Sequence, residues 1–500
     1  MCCATQALIP RMQDSVQCVL DGRLIRIPFT PSSAYRPTTT VLQYLRALPG
    51  HRGAKEGCAE GDCGACTVVL AEESAPGTLT YSAVDSCLLF LPMVHGKQLI
   101  TVENLRDTDG ALHPVQRALV ALHGSQCGFC TPGIVMSLFA LFKSGDTPDR
   151  ASVVDALVGN LCRCTGYRSV IDAALEACAG DRHDQFTDGE TAVCSLLRTI
   201  PRETLLLNTG SQRYCRPSTL GEALAYRAEH PEALVLCGAT DVALRVTKKH
   251  EHLSSLLDLS GIPELRTVRG EGETLAIGSA VTLQELLIAS REVCAPLGDM
   301  LVVFGSRQIR SMATLGGNLG TASPVSDTLP VLLALKAGVR LEKFGEWRMV
   351  PLEDFVTGYR QTACGKDELI TSIVIPGIPE GTNVRSYKIS RRRDMDISSV
   401  SACFRLTLDA SGNVSSTVLA FGGMAATVGR ARHVEALLQG APWTHNSVVT
   451  AVKELAKDFA PITDVRGSAS FRMTVARNLL LQFWEDVHTG VATGGGRVEA

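Results

Sequence analysis

Eight of the eighteen cysteines fall into two four-cysteine sets with different spacings, and each set restricts how the backbone around it can run. Cys58, Cys63, Cys66 and Cys87 read C-x4-C-x2-C followed by a distant fourth cysteine. Cys127, Cys130, Cys162 and Cys164 read C-x2-C and, after thirty-one intervening residues, C-x-C. Four thiolates suit a structural zinc or an iron–sulfur cluster, so spacing decides. C-x4-C-x2-C with a remote fourth ligand is the plant-type [2Fe-2S] pattern, whereas zinc sites usually pair two C-x2-4-C knuckles. For the second set a zinc-stapled helical bundle stays open as the alternative. Two clusters in one chain would imply that electrons pass through it.

The glycines of KEGCAEGDCGAC support the first reading, because a loop wrapping sulfur must turn sharply and approach the cluster closely. VQCVLDGRLIRI at 16–27 predicts a hairpin turning at Asp21-Gly22, Thr40 can cap a short helix, and TVVL at 67–70 reads as a strand. That order predicts a small ferredoxin-like α+β unit of the β-grasp kind over 14–100. From 113 to 179 the pattern becomes four helices, opened near Pro114, Thr131-Pro132, residue 150 and Ser169. Cys127 and Cys130 precede the second helix, and Cys162 and Cys164 the fourth. If those N-termini converge, their amides would stabilise an anionic cluster. Residues 182–212 lose periodicity and read as a linker.

Beyond it lies a larger α/β region. LVLCGATD at 234–241 is a strand running into Gly238, and LGGNLGTASPVSD spans 315–327. Either glycine-containing turn could offer amides to a pyrophosphate, and either could be a plain turn. No G-x-G-x-x-G follows a strand, so a Rossmann site has no support. Neither G-x-S-x-G nor H-E-x-x-H occurs, and the eleven histidines form no evident metal set. A lone histidine such as His123, at a helix end, is expected to be a surface cap.

Five hundred residues imply several domains, and 45% hydrophobic with 20% charged content is ordinary globular composition. A net charge of -3 gives no basic field for nucleic acid or anionic lipid. The run Arg391, Arg392, Arg393 is a local exception that reads as a solvated loop. No apolar window is long enough to span a membrane, and no secretory signal is evident at Met1–Gln6. Abundant cysteine without an export signal predicts a reducing cytoplasm, with the remaining cysteines mostly buried small hydrophobes. Cys2 and Cys3 have nothing nearby to assign them a metal or an acyl group.

Taken together, EGCAEGDCGACTVVL, QCGFCTPGIVMS, NLCRCTGYR and TLGGNLGTASPVSDTLP closely resemble the molybdenum hydroxylase family, and within it the iron–sulfur and FAD subunit of the bacterial xanthine dehydrogenase branch. The resemblance runs from about residue 14 to 490. It implies an α+β multidomain chain: a β-grasp [2Fe-2S] domain at 14–100, a four-helix [2Fe-2S] domain at 101–181, a linker at 182–212, a vanillyl-alcohol-oxidase-type FAD domain at 213–378 and a C-terminal α+β flavoprotein domain at 384–495. It implies two [2Fe-2S] clusters on the eight cysteines.

For FAD it implies Val235, Leu236, Cys237, Gly238, Ala239, Thr240, Asp241 and Val242 as one phosphate-cradling stretch and Thr314, Gly317 and Asn318 in another. Phe304 matches an aromatic by the isoalloxazine, Asp327 an acidic contact, Ile370 an aliphatic one and Lys388 a basic one. Residues 391–397 match a loop that affects nicotinamide access, and Gln126 matches a residue facing the pterin. The resemblance further implies NAD as acceptor, purine hydroxylation on a large molybdopterin-binding partner subunit, no catalytic residue of that hydroxylation in this chain, and a dimer of heterodimers. An equivalent subunit serving an aldehyde or another N-heterocycle stays open, as does a zinc-stabilised interaction protein. Ala239 stands where relatives often have Gly or Asn, which is expected still to permit the turn.

Overall fold

The computed structural model describes residues 13–107 and 109–490, so Cys2 and Cys3 lie outside the described residues. The described residues form two compact units: residues 13–226 with 232–262 and 306–313, and residues 227–231 with 263–305 and 314–490.

The first unit begins with strands β1 (Ser15–Leu20) and β2 (Arg23–Pro28), joined through Asp21 and Gly22, both at positive φ, as a two-residue hairpin turn requires. Helix α1 (Val41–Ala47) starts at Thr40, whose hydroxyl accepts from Gln43 N while the Gln43 side chain accepts from Thr40 N. Strands β3 (Thr67–Ala75), β4 (Thr78–Asp85) and β5 (Gln98–Ile100) complete a sheet of order β2-β1-β5-β3-β4, in which only the β1–β5 pairing is parallel. This is the hairpin, helix, loop and strand order that the sequence predicts.

Four helices follow, α2 (Pro114–Ala121), α3 (Thr131–Phe142), α4 (Arg150–Leu157) and α5 (Arg168–Cys178). Ser169 does not cap α5. The preceding residue is Tyr167 in a left-handed conformation, and Ser169 Oγ instead donates to His123 O. The stretch read as an irregular linker holds a further helix, α6 (Gln185–Arg198), and a strand, β6 (Leu205–Asn208). Asp184 caps α6 through Thr187 N, and Phe186, Cys194 and Leu197 are buried along one face of the helix. Asp184 also accepts from buried His113 and from Lys143, tying α6 to α2 and α3.

Strands β7 (Arg213–Arg216), β8 (Leu234–Leu236) and β9 (Ser255–Asp258) join β6 in a sheet of order β6-β7-β9-β8, and helix α8, numbered after the intervening α7 (Leu220–Glu229), spans Val242–Thr247. The short helix Arg307–Arg310 belongs to this unit although it comes from far along the chain.

The second unit carries a five-stranded antiparallel sheet, in the order Val268–Glu271, Thr274–Gly278, Leu369–Pro376, Gly338–Lys343 and Glu346–Pro351. A second antiparallel sheet, Thr382–Ile389, Val400–Leu408, Val414–Gly422 and Gly429–Arg430, packs with helix Ala469–His488 around Tyr387, Phe404, Phe421 and Phe483. Helices Arg432–Leu438 and His445–Lys453 contribute Val434, Leu438, Val448 and Ala451 to the same core.

Candidate iron–sulfur and flavin sites

The loop from Gly57 to Cys66 lies between α1 and β3. Cys58 Sγ accepts from the amides of Glu60 at 3.4 Å and Asp62 at 3.3 Å, so the backbone already aims donors at sulfur. A hydrogen bond from the Cys63 thiol, above all, and these amides bring the Cys58 thiol down to about 5, while the same pairing drives Cys63 up. Cys66 and Cys87 form a second pair, with the Cys66 thiol held well above its ordinary range by Cys87 and by burial. Gly64, at φ +62°, has no room for a side chain: a Cβ there would stand 2.3 Å from Gly159 O.

In the second set, Cys127 and Cys164 are exposed with their sulfurs 3.7 Å apart, and Cys130 pairs with Cys162. Cys130 is the residue from which α3 starts, and Cys164 lies just before α5, so both helix N-termini adjoin the set. Burial and the neighbouring Cys162 push the Cys130 thiol up to about 12. Burial opposes ionisation of Cys162 too, but hydrogen bonding from Thr165, whose Oγ1 is 3.1 Å from its sulfur, brings its thiol below the ordinary value.

The sulfurs thus come in twos. A single zinc needs four ligands converging on one point, whereas each iron of a [2Fe-2S] cluster takes two thiolates. The 3.7 Å separation also matches the edge of a tetrahedron built on metal–sulfur bonds of about 2.3 Å. That spacing suits iron and zinc alike, and the arrangement of the sulfurs in pairs is what suits a binuclear cluster.

Two neighbours of the first set went unnoticed in the sequence. Asp85, fully buried, accepts from the Cys66 thiol at 3.7 Å, and burial pushes its carboxyl up to about 8. Lys248, at the end of α8, donates to Cys58 O at 3.1 Å and pairs with Glu60 at 3.3 Å. The only sequence signal for Asp85 is an acid directly after the apolar pair Ala83-Val84 and two residues before Cys87; Lys248 offers none.

The two glycine-containing stretches lie in different units. In the first unit β8 runs through Cys237 into Gly238 (φ +81°) and Ala239 (φ +59°), then Thr240, Asp241 and α8. A Cβ on Gly238 would stand 1.9 Å from Met312 O. Ala239 occupies the left-handed region, which explains why Gly or Asn suits this position and shows that alanine keeps the turn.

In the second unit Thr314 Oγ1 accepts from Gly317 N at 3.1 Å, capping helix Leu315–Thr321. Asn318 Oδ1 accepts from Ser326 at 2.7 Å and Thr328 at 2.6 Å. Asp327 and Lys388, 61 residues apart, form a buried ion pair at 2.8 Å. Ser398 Oγ donates to Asp327 at 2.5 Å, and Lys388 Nζ donates to Val303 O at 3.0 Å, beside Phe304. Ile370 reaches to 3.7 Å from where a Cβ on Gly320 would sit, in the helix of Asn318. The buried polar atoms around Asp327 and the bare backbone of the glycines are chemistry that suits a flavin dinucleotide. Arg391, Arg392 and Arg393 are exposed, as expected of a solvated loop, with Arg391 donating to Val465 O at 2.9 Å.

Three family descriptions match successive parts of the chain: a [2Fe-2S] binding domain over 101–175, the FAD binding domain in molybdopterin dehydrogenase over 209–378, and the CO dehydrogenase flavoprotein C-terminal domain over 385–487. The chain belongs to the molybdenum hydroxylase family. The matches cover an iron–sulfur-binding part and an FAD-binding part of that family's proteins. Xanthine dehydrogenase of Emericella nidulans is 32% identical over 96% of this chain and 39% of its own length, and xanthine dehydrogenase 1 of Arabidopsis thaliana 32% identical over 92% and 39%. The chain therefore spans about two fifths of the length of these relatives. Among solved structures, reconstituted CO dehydrogenase from Oligotropha carboxidovorans aligns at a TM-score of 0.51 and 27% identity, over 55% of this chain and 96% of the other. Quinoline 2-oxidoreductase from Pseudomonas putida 86 shares the fold at the same score and 22% identity.

Proposed function

We propose that this chain is the small subunit of a xanthine dehydrogenase, carrying electrons from purine hydroxylation on a molybdopterin-binding partner subunit to NAD. Cys58, Cys63, Cys66 and Cys87 hold one [2Fe-2S] cluster, and Cys127, Cys130, Cys162 and Cys164 the other. The pairing of all eight sulfurs carries this reading. Val235–Val242, Thr314, Gly317 and Asn318 bind the phosphates of FAD; Phe304 lies by its isoalloxazine, and Asp327, Ile370 and Lys388 are acidic, aliphatic and basic contacts to the flavin. When bound, FAD supplies the exchange between one-electron and two-electron transfer that clusters cannot perform. Lys388 holds Asp327 in place, and Ser398 fixes the carboxylate from the other side.

The domain limits follow the same reading: 14–100 and 101–181 for the clusters, 213–378 and 384–495 for the flavoprotein part, with 182–212 connecting them. Gln126, exposed beside Cys127, faces the partner, and the assembly is a dimer of heterodimers. No disulfide joins any of the sixteen described cysteines, which suits a reducing cytoplasm. No described helix is long and apolar enough to cross a membrane.

The CO dehydrogenase and quinoline 2-oxidoreductase likenesses favour a second reading, in which the partner oxidises another small molecule. Co-purifying the large chain and assaying hypoxanthine, aldehydes and N-heterocycles separates the two. Adding NADH to the purified chain bleaches the flavin if NAD is the acceptor; an unchanged spectrum refutes that half. A colourless protein with about two zinc ions per chain would refute the electron-transfer reading altogether.

A further inference from the structure

Where the two cysteine-bearing loops of the first unit meet, one buried asparagine uses its whole hydrogen-bonding capacity. Asn160 Nδ2 donates to Gly64 O at 3.0 Å and to Thr67 Oγ1 at 3.1 Å, while Oδ1 accepts from Ser137 Oγ at 2.6 Å and from Gln308 Nε2 at 2.9 Å. Two donors and two acceptors leave nothing over. Asn160, Ser137 and Gln308 are 1%, 2% and 0% exposed. Gln308 Nε2 also donates to Ser137 Oγ at 2.8 Å, closing a three-membered ring of side chains.

The targets of this ring are the cysteine loops themselves. Gly64 lies between Cys63 and Cys66, and Asn160 stands two residues before Cys162. The next residue, Leu161, donates its amide to Cys63 O at 3.0 Å. Asn160 O accepts from Tyr167 OH at 3.0 Å, and that hydroxyl accepts from Cys162 N at 2.6 Å. The side chain of Asn160 thus grips the first loop while its main chain belongs to the second. Directional bonds in a dry setting select one register, which apolar packing alone would leave looser.

We propose that Asn160, locked by Ser137 and Gln308, is a positioning residue that fixes the first cysteine loop against the second and so sets the coupling between the two clusters. This role rests on the two-cluster reading above. The test uses the purified holoprotein with Asn160→Ala and, separately, Gln308→Met. Iron and labile sulfide per chain count the clusters. Electron paramagnetic resonance of the reduced protein reads each cluster's own g values at higher temperature and the magnetic splitting between clusters at low temperature.

Asn160→Ala is expected to keep about four iron atoms per chain and both sets of g values, with the splitting reduced in both signals together. Gln308→Met moves the splitting in the same direction by less, because Ser137 still holds Asn160. Unmoved splitting in both variants at full iron content overturns the role of Asn160 alone. If Asn160→Ala does not fold, unmoved splitting in Gln308→Met overturns it. Iron for a single cluster in the unsubstituted protein would overturn the two-cluster reading, and this role with it.

Discussion

Gly133→Ala sets two physical effects against each other, and the structure decides their balance. Gly133 lies in the first turn of α3, where alanine should gain about 1 kcal/mol of helix propensity. Yet a Cβ at this position stands 2.0 Å from Gly64 O and 3.1 Å from Gly64 C. Ordinary carbon–oxygen contacts begin near 3.3 Å, so helix and loop must part by about 1.3 Å. Gly64 O cannot yield freely, because it accepts from Thr67 N at 3.1 Å, Thr67 Oγ1 at 2.7 Å and Asn160 Nδ2 at 3.0 Å.

Overpacking costs about 1–3 kcal/mol and a lost hydrogen bond about 1 kcal/mol, so the net effect is a destabilisation of about 1–3 kcal/mol. At about 2–4 °C per kcal/mol for a unit of this size, the first transition in scanning calorimetry should fall by several degrees. Gly189→Ala, inside α6 with nothing within 4 Å of the new Cβ, is the control. There the propensity gain is unopposed, and the same transition should rise by about 2–4 °C. Because several cooperative units melt, the opposite signs matter more than either value. A rise with both substitutions would refute the close approach of α3 to the first cysteine loop.

Lys388→Met removes one member of a buried ion pair, a change that typically costs about 3–5 kcal/mol, and should lower FAD per chain; full flavin content would remove Lys388 from the site. The double variant with Asp327→Leu should recover thermal stability without recovering flavin, separating the two effects. Burial alone would raise the Asp184 carboxyl, but hydrogen bonds from His113 and Lys143 outweigh it and hold it below the usual range. A depressed folded-state value contributes stability above the unfolded value near 3.9 and loses it as pH falls toward the folded one. The stability gap between the wild type and Asp184→Asn in urea titrations should therefore be full at neutral pH and shrink below about pH 4. Lys248→Gln takes a cation from the carbonyl of Cys58 and should lower the midpoint potential of the first cluster in a redox titration. The shift should be small, because the ammonium is 44% exposed and screened.

What was legible in the chain was local. Asp21-Gly22, Thr40 and the prolines of α2 and α3 act through their own backbone neighbourhood, and each does in the structure what its residue type predicts. The error over α6 is of the opposite kind. Its Thr187, Gly189 and Thr191 are weak helix formers that obscure the apolar face of Phe186, Cys194 and Leu197, and its N-cap Asp184 is held by His113 and Lys143 from elsewhere. The cysteine spacings pointed to clusters, but not to which sulfur lies beside which. Cys127 reaches Cys164 across two loops, a relation that no spacing rule contains.

The same limit explains the most informative residues of the sites. Asn160 is an unremarkable polar residue until Gly64, Ser137 and Gln308 surround it, and Gln308 comes from a point 148 residues further along the chain. Asp327 and Lys388 likewise acquire meaning only from each other. Ligand identity could be read because chemistry restricts which residue types bind iron. The supports that orient those ligands are ordinary residues, and only the closure of long-range contacts sets them apart. Substitutions at Asn160 or Lys388 should therefore alter the properties of the clusters or the flavin while every cysteine remains in place.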